Sequence, residues 1–216
     1  MRLKTVLGST VNRDLNLISH VFTTARRKWN WASKSPTADV RRPKYPPPRD
    51  RLISQDEIDR ICLALAYDGK ITNISGVVAA TFLFAIGTGM RSGEILSLTP
   101  ERISSSAAHL PRTKNDSKRD VPLSNRALEI LSELPTPSPG APYFTVSAES
   151  RDALFRKAVT RASIEALSFH DTRHGAITRL AKKLNVLELA SMVGHKDIRP
   201  LQVYYNETAA AIAKKL

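Results

Sequence analysis

The sequence predicts a mainly α-helical protein with a small antiparallel β-sheet, which is an α+β fold. Two observations lead to this prediction. Apolar residues recur at helical spacing through most of the 216 residues. The alternating pattern typical of strands is confined to a region near the middle of the chain, around residues 107–123. A chain of this length buries a proper core and has room for one domain plus an appendage.

The N-terminal segment predicts one amphipathic helix and an extended linker. From Thr10 to Trp31 the apolar residues follow a helical spacing, and a basic cluster, Arg26-Arg27-Lys28, lies near the end. A helix this short cannot bury its own apolar face, so it must pack on the following domain or on something outside this chain. Residues 36–51 are rich in proline and arginine, which indicates a linker with a polyproline-like course.

The main domain begins with a helix and continues with a buried one. The capping box Ser54-Gln55-Asp56-Glu57 predicts the start of the first helix. The second helix is predicted from Ile74 to Ile86 and ends at Gly87-Thr88-Gly89. Its apolar run from Val77 to Ile86 is about half the roughly 20 residues that cross a bilayer, so we interpret it as a core helix. A third helix is predicted to start near Arg91 and to end at Leu98.

A hairpin and more helices complete the predicted domain. Strands around Ala107 to Pro111 and Arg119 to Leu123 flank a turn-rich segment, with Lys114 near its tip. The remaining helices are predicted at Asn125 to Leu134, Arg151 to Ser163, Phe169 to Leu184, Val186 to Val193, Pro200 to Tyr205 and Ala209 to Leu216.

The charge of the chain indicates a polyanionic partner. The formal net charge is +13, and residues 1–51 hold 12 Lys and Arg against three acids, a net of +9. Basic side chains bind phosphates with release of counterions, so nucleic acid is the expected partner. Cys62 is the only cysteine, so an internal disulfide and a cysteine zinc cluster are excluded. No membrane span or secretory signal is predicted, and we expect a cytoplasmic, nucleoid-associated protein.

Six residues have side chains suited to chemistry on a phosphodiester. Two of them, His170 and Arg173, lie three residues apart where a helix is predicted to begin, and a helix N-terminus attracts phosphate. Taken alone, each member has a plain structural interpretation, such as a satisfied histidine, a surface arginine or a core tyrosine. The six residues are Arg91, Lys114, His170, Arg173, His195 and Tyr204.

The order and spacing of these residues resemble one family. The stretches that carry the resemblance are GTGMRSGEILSL at residues 87–98, TKN at 113–115, VPL at 121–123, HDTRH at 170–174, Gly194-His195, and Tyr204 nine residues after His195. Together they resemble the tyrosine recombinases of the phage-integrase type over Arg51 to Leu216. The resemblance implies a tyrosine recombinase catalytic-domain fold for residues 52–216. It also implies that residues 1–35 are the C-terminal remnant of a helical core-binding domain and that residues 36–51 are the linker.

The resemblance implies a role for each of the six residues. Tyr204 is the nucleophile that forms a 3′-phosphotyrosine, and His170 takes its proton. Arg91 and Arg173 clamp the non-bridging phosphate oxygens, because a planar guanidinium donates in a fork that lysine lacks. By the same resemblance, Lys114 protonates the leaving oxygen and His195 hydrogen-bonds the phosphate.

Three neighbours are interpreted as supporting residues, and a fourth, Tyr205, competes for the role of nucleophile. Glu94 either orients Arg91, one turn before it, or faces solvent. Asp171 is expected to serve the helix cap, and His174 to make a structural hydrogen bond. Tyr205 lies beside the proposed nucleophile, but the spacing from His195 favours Tyr204.

The implied function is site-specific DNA recombination that integrates or excises a mobile element such as a prophage. Two alternatives stay open: a truncated DNA-binding remnant without catalysis, and nicking and resealing alone in the manner of type IB topoisomerases. No cofactor and no metal are predicted, since the arginines and the lysine supply the positive charge. The expected partners are double-stranded DNA and accessory DNA-bending proteins. The family further implies a monomer in solution and a tetramer on DNA that exchanges the C-terminal helix, here Asn206 to Leu216.

Overall fold

A computed structural model of the chain describes residues 5–45, 51–111, 118–205 and residue 213. The chain forms two compact units, residues 1–49 and residues 50–216. In the described part of the chain, no helix is both long enough and apolar enough to cross a membrane.

The first unit contains one long helix. Helix α1 spans Gly8–Thr24, and a π-helical turn, Ala25–Trp29, continues it and ends at Asn30 in the left-handed region. The amide of Asn12, which is fully buried, donates to the carbonyl of Pro43 at 2.9 Å. The described part of the proline-rich segment therefore returns along α1 instead of extending away from it.

The second unit contains the remaining regular elements. Seven helices and two strands, with two short 3-10 helices, follow one another in its described residues. The helices are α2 (Gln55–Ala64), α3 (Ile74–Thr88), α4 (Ser92–Leu96), α5 (Asn125–Glu133), α6 (Ala148–Arg161), α7 (Asp171–Leu180) and α8 (Val186–Val193). The 3-10 helices are Pro100–Arg102 and Arg199–Tyr204.

Helix α3 lies at the centre of this unit. Its residues are apolar on all sides and most of them are buried, which is typical of a helix surrounded by protein. It ends at Gly89, whose φ of 64° is the left-handed conformation that glycine adopts at helix C-termini. The capping box that opens α2 is present, since Ser54 and Glu57 exchange backbone-to-side-chain hydrogen bonds. The predictions of a core helix and of these two helix ends are confirmed.

The sheet is a hairpin of two antiparallel strands in the described residues. Strand β1 spans Ala107–Leu110 and strand β2 spans Arg119–Pro122, and Leu110 pairs with Arg119. The predicted hairpin is confirmed, and so is the predicted class of a mainly helical fold with a small antiparallel sheet. The turn at residues 112–117, which contains Lys114, lies outside the described residues.

Several predicted helices differ from the structure in their bounds or in their type. Helix α6 begins earlier than predicted because the Ser147 hydroxyl caps it by accepting from the amide of Ser150. Helix α7 is shorter than predicted. Its start is delayed because the Asp171 carboxylate accepts from the backbone amide and the hydroxyl of Ser168, which holds Ser168 in a turn before the helix. The segment before Tyr205 is a 3-10 helix. Apart from residue 213, the predicted C-terminal helix lies outside the described residues.

Two apolar clusters form the interior of the second unit. The larger one surrounds α3 and includes side chains from α2, α5, α6 and the hairpin. The smaller one joins α7, α8 and the second 3-10 helix, and consists of Ile177, Leu189, Ala190, Val193 and Leu201. Because Leu201 is fully buried there, the 3-10 helix that ends at Tyr204 is anchored to α7 and α8.

Candidate active site

Arg173 is a buried cation held by backbone carbonyls. It lies on the first turn of α7 with 7% of its surface exposed. One guanidinium nitrogen donates to the carbonyl of Gly89, and the other donates to the carbonyl of Val193 at 2.7 Å. Burial, together with the nearby charge of Arg91, lowers the pKa of Arg173 to about 10. The side chain therefore stays protonated at neutral pH, and its position is fixed by the ends of α3 and α8.

Arg91 is the residue that precedes α4, and Glu94 holds it. The carboxylate of Glu94 accepts from the backbone amide of Arg91 at 2.8 Å and from its guanidinium at 3.2 Å. Glu94 is buried, so the alternative in which it faces solvent is wrong. The side chain of Arg91 keeps 24% of its surface exposed, which leaves it available to a ligand.

Arg119 on β2 is a second partner of Glu94 that the sequence analysis missed. Its two terminal nitrogens donate to the two carboxylate oxygens at 2.9 and 2.7 Å, and its Nε donates to the carbonyl of Met192 at 3.0 Å. Burial alone would raise the pKa of Glu94, but hydrogen bonds from Arg119 and Arg91 outweigh burial and hold it below its ordinary value. Glu94 is thus an ionised bridge between two arginines.

His195 follows the left-handed Gly194 that ends α8. A side chain at residue 194 would collide with Arg119, since a Cβ there would lie 2.7 Å from a guanidinium nitrogen. The His195 Nε2 lies 3.4 Å from a guanidinium nitrogen of Arg173. Burial and the charges of Arg173, Arg91 and Arg119 lower the pKa of His195. Because guanidinium only donates, Nε2 can take part in this contact only as an acceptor, while the buried Nδ1 has no hydrogen-bond partner among the described residues.

Tyr204 and Tyr205 have different partners. The hydroxyl of Tyr204 lies 2.8 Å from Nδ1 of His174, which is on α7 directly after Arg173. Burial raises the pKa of Tyr204, and the charge of Arg173 acts in the opposite direction. The hydroxyl of Tyr205 donates to the backbone carbonyl of Leu184 at 2.9 Å. Of the two tyrosines, Tyr204 is the one whose phenol faces a histidine of α7.

His170 lies just before α7 and is exposed. It lines a cleft of about 860 Å³ together with Arg91, Arg173 and a third arginine, Arg151. Arg151 is buried, lies over the ring of Phe169 at 4.5 Å, and donates to the hydroxyl of Ser92, next to Arg91. Several arginines therefore line this cleft together with Glu149 and Asp152, and Arg151 was not predicted from the sequence.

Five of the six predicted residues lie around the start of α7. Arg173 contacts His195, and the charges of Arg91 and Tyr204 act on its pKa. His170 shares the cleft with the two arginines, and Lys114 lies outside the described residues. A signal for Arg119 was present in the sequence, because an arginine at an inward position of a strand, two before the buried Val121, needs buried hydrogen-bond acceptors such as a carboxylate. Within the described ranges, no three His, Cys, Asp or Glu side chains cluster in a way that would hold a metal ion.

This arrangement matches a known class of protein. Residues 51–211 match the model of the phage integrase family. A Haemophilus influenzae relative named as a candidate integrase/recombinase is 38% identical over 100% of this chain and 72% of its own length. The shufflon-specific DNA recombinase of Escherichia coli is 36% identical over 99% of this chain, which spans 55% of that protein.

The fold agrees with the sequence comparison. A structure of the Tn1549 transposon integrase in complex with circular intermediate DNA superimposes with a TM-score of 0.72 at 18% identity, covering 100% of this chain and 80% of that one. Because the two sequences are only 18% identical, this likeness is evidence about the fold alone. The chain belongs to the phage integrase family, and its second unit has the fold of a tyrosine recombinase catalytic domain.

Proposed function

We propose that this chain cleaves and rejoins DNA strands through a 3′-phosphotyrosine at Tyr204, as a site-specific recombinase that integrates or excises a mobile element. The observation that carries the proposal is the contact of a half-buried phenol with α7, the helix that holds Arg173. A hydroxyl nucleophile beside positive charge is what transfer of a phosphodiester requires. The name of the E. coli relative, a DNA recombinase, supports the same reaction class.

In the proposed reaction, the arginines stabilise the negative charge of the transition state. Arg91 and Arg173 hold the non-bridging oxygens, and His195 donates a hydrogen bond to the phosphate. A hydrogen bond from Nε2 to the phosphate replaces the 3.4 Å contact of that nitrogen with Arg173. Lys114 protonates the departing 5′ oxygen. The phosphotyrosine ester retains the energy of the broken bond, so the reaction needs no nucleotide cofactor.

The proposed organisation places catalysis in residues 52–216. We propose that residues 1–35 are the end of a helical core-binding domain and that residues 36–51 connect it to the catalytic domain. The relatives named above are longer, and this chain spans 72% of one and 55% of the other. We further propose that duplex DNA assembles the protein into a tetramer, with the C-terminal segment packing on a neighbouring copy.

The first test is a covalent adduct. Supercoiled plasmid carrying DNA of the source genome is incubated with the protein, and protein–DNA adducts are separated on a denaturing gel. We expect a slowly migrating adduct with the wild type and with Tyr205→Phe, and none with Tyr204→Phe. Sequencing the DNA ends in the adduct then identifies the cleavage site.

Other outcomes would favour the alternative functions. Salt-dependent DNA binding without any adduct would indicate a DNA-binding protein without catalysis. Relaxed topoisomers that depend on Tyr204, without joining of two duplexes, would indicate nicking and resealing alone.

A further inference from the structure

We propose that Arg151 is a positioning residue for Arg91, and that it acts by holding Ser92 at the start of α4. This role rests on the proposed function, in which Arg91 binds a non-bridging oxygen of the phosphate. Arg151 affects the reaction through Arg91 and not by its own contact with the phosphate. Neither Arg151 nor Ser92 was predicted from the sequence to belong to the site.

The first argument is the burial of Arg151. Its side chain, near the start of α6, is 6% exposed, and a buried guanidinium is costly unless it has acceptors. Nε and one terminal nitrogen donate to the carboxylate of Asp152 at 3.2 and 2.7 Å. The other terminal nitrogen donates to the hydroxyl of Ser92. Asp152 is on the same helix, whereas the hydrogen bond to Ser92 joins α6 to another element.

The second argument is the part of the chain that Ser92 controls. Ser92 directly follows Arg91 and is the first residue of α4, a helix of five residues. A helix this short is not stable by itself, so its orientation depends on contacts with its surroundings. Arg119 on β2 binds Glu94 of this helix, and Arg151 on α6 binds Ser92. The backbone that carries Arg91 is therefore held at two points by arginines of other elements.

The third argument is the aromatic ring next to Arg151. The guanidinium lies 4.5 Å from the centre of the Phe169 ring, whose negative face attracts a cation. Phe169 is buried and packs edge-on against Phe155 of α6, with 5.3 Å between the ring centres. It directly precedes His170, which lines the same cleft as Arg91. Arg151 thus links the backbone before His170 to the start of α4, beside two residues that the proposed reaction requires.

Ser124 offers a matched control for Ser92. Its hydroxyl accepts from the backbone amide of Ala127 at 3.3 Å and caps α5, a helix that carries none of the six predicted residues. Replacing either serine by alanine removes one hydroxyl at the start of a helix of the same unit. Of the two changes, the one at Ser92 also removes a partner of Arg151.

The test measures single-turnover adduct formation on a duplex that contains the mapped cleavage site. One form of the duplex has the ordinary phosphodiester. In the other form a methyl group replaces one non-bridging oxygen of the scissile phosphate and removes its negative charge. A neutral methylphosphonate has less need of an arginine at that oxygen, so the ratio of the two rates reports the contribution of Arg91. Both stereoisomers are measured, and Arg91→Ala shows which of them relieves the need for Arg91.

We expect Ser92→Ala and Arg151→Met to lower the rate on the phosphodiester by about tenfold to 10²-fold, the usual effect of a displaced reacting group. On the methylphosphonate that relieves Arg91→Ala, the same variants should lose less than about threefold, because misplacement of Arg91 matters less there. Ser124→Ala should leave the ratio of the two rates unchanged. Thermal unfolding followed by circular dichroism shows whether each variant folds, and Ser92→Ala alone suffices for the test if Arg151→Met does not fold.

A loss in Ser92→Ala that is equal on the two substrates would overturn the proposal, because Arg151 would then serve the fold alone. A phosphodiester rate like that of the wild type in Ser92→Ala would also overturn it. If Arg91→Ala itself lost equally on all substrates, Arg91 would not act on the phosphate charge, and the role of Arg151 would fall with it. A wild-type chain that forms no Tyr204-dependent adduct on either substrate would instead overturn the proposed function, and the role of Arg151 as its consequence.

Discussion

Two arginines of this chain pair with glutamates in very different surroundings. Arg119 is 5% exposed and binds both oxygens of Glu94, whereas Arg126 is 54% exposed and pairs with Glu129 and Glu133. A buried ion pair that loses one member leaves an uncompensated charge, while an exposed pair is screened by water. The two positions therefore form a matched comparison.

We expect Arg119→Ala to lower the free energy of unfolding by about 3 kcal/mol or more. Arg126→Ala is expected to cost at most about 1 kcal/mol. Urea denaturation followed by circular dichroism measures both. Equal losses in the two variants would show that Arg91 alone satisfies the buried carboxylate of Glu94.

At the scale of single elements, the end of α3 positions a cation of the site. Gly89 has a φ of 64°, and a Cβ there would lie 3.4 Å from the side chain of Ala176 on α7. The carbonyl of the same residue accepts from Arg173. Gly87, two residues earlier and still within α3, has open space around the position of a Cβ.

These two glycines predict opposite results for the same substitution. Gly89→Ala forces a left-handed conformation on a residue with a Cβ, at a cost of about 1–2 kcal/mol. Gly87→Ala is expected to stabilise the helix by about 0.5–1 kcal/mol, because alanine loses less backbone entropy than glycine in a helix. Thermal unfolding of the two variants measures the difference. If both variants were destabilised alike, the left-handed turn would not be the cause.

The elements also differ in how far sequence alone predicts them. The capping box of α2 and the glycine end of α3 were predicted because each depends on residues within one helical turn. The start of α7 was misplaced because the Asp171 side chain binds Ser168 instead of leaving it to cap the helix. The Arg119–Glu94 and Tyr204–His174 contacts join residues 25 and 30 positions apart. Such contacts depend on packing between elements, which no local pattern specifies.

At the scale of the whole molecule, positive charge is concentrated near the N-terminus. Arg26, Arg27 and Lys28 are exposed in the π-helical turn after α1. Lysine and arginine side chains that neutralise phosphates release counterions from DNA. The logarithm of the DNA affinity therefore falls linearly with the logarithm of the salt concentration, and each phosphate contact adds about 0.9 to the steepness of that slope.

We expect replacement of these three residues by glutamine to make that slope shallower, by up to about 2.7 if all three contact phosphate. Fluorescence anisotropy with duplex DNA at several salt concentrations measures it. Arg126→Gln is the control, because that charge already pairs with Glu129 and Glu133. An unchanged slope in the triple variant would place the DNA contacts elsewhere on the molecule.

Arg119 also constrains how this sequence can vary. It binds Glu94, donates to the carbonyl of Met192, and packs so closely on Gly194 that a side chain there has no room. The φ of Gly194 is 71°, so any other residue there is strained even if residue 119 is small, and a smaller residue at 119 also removes one of the two arginine partners of Glu94. Positions 94, 119 and 194 are therefore expected to be constrained together among relatives, although they are far apart in the chain.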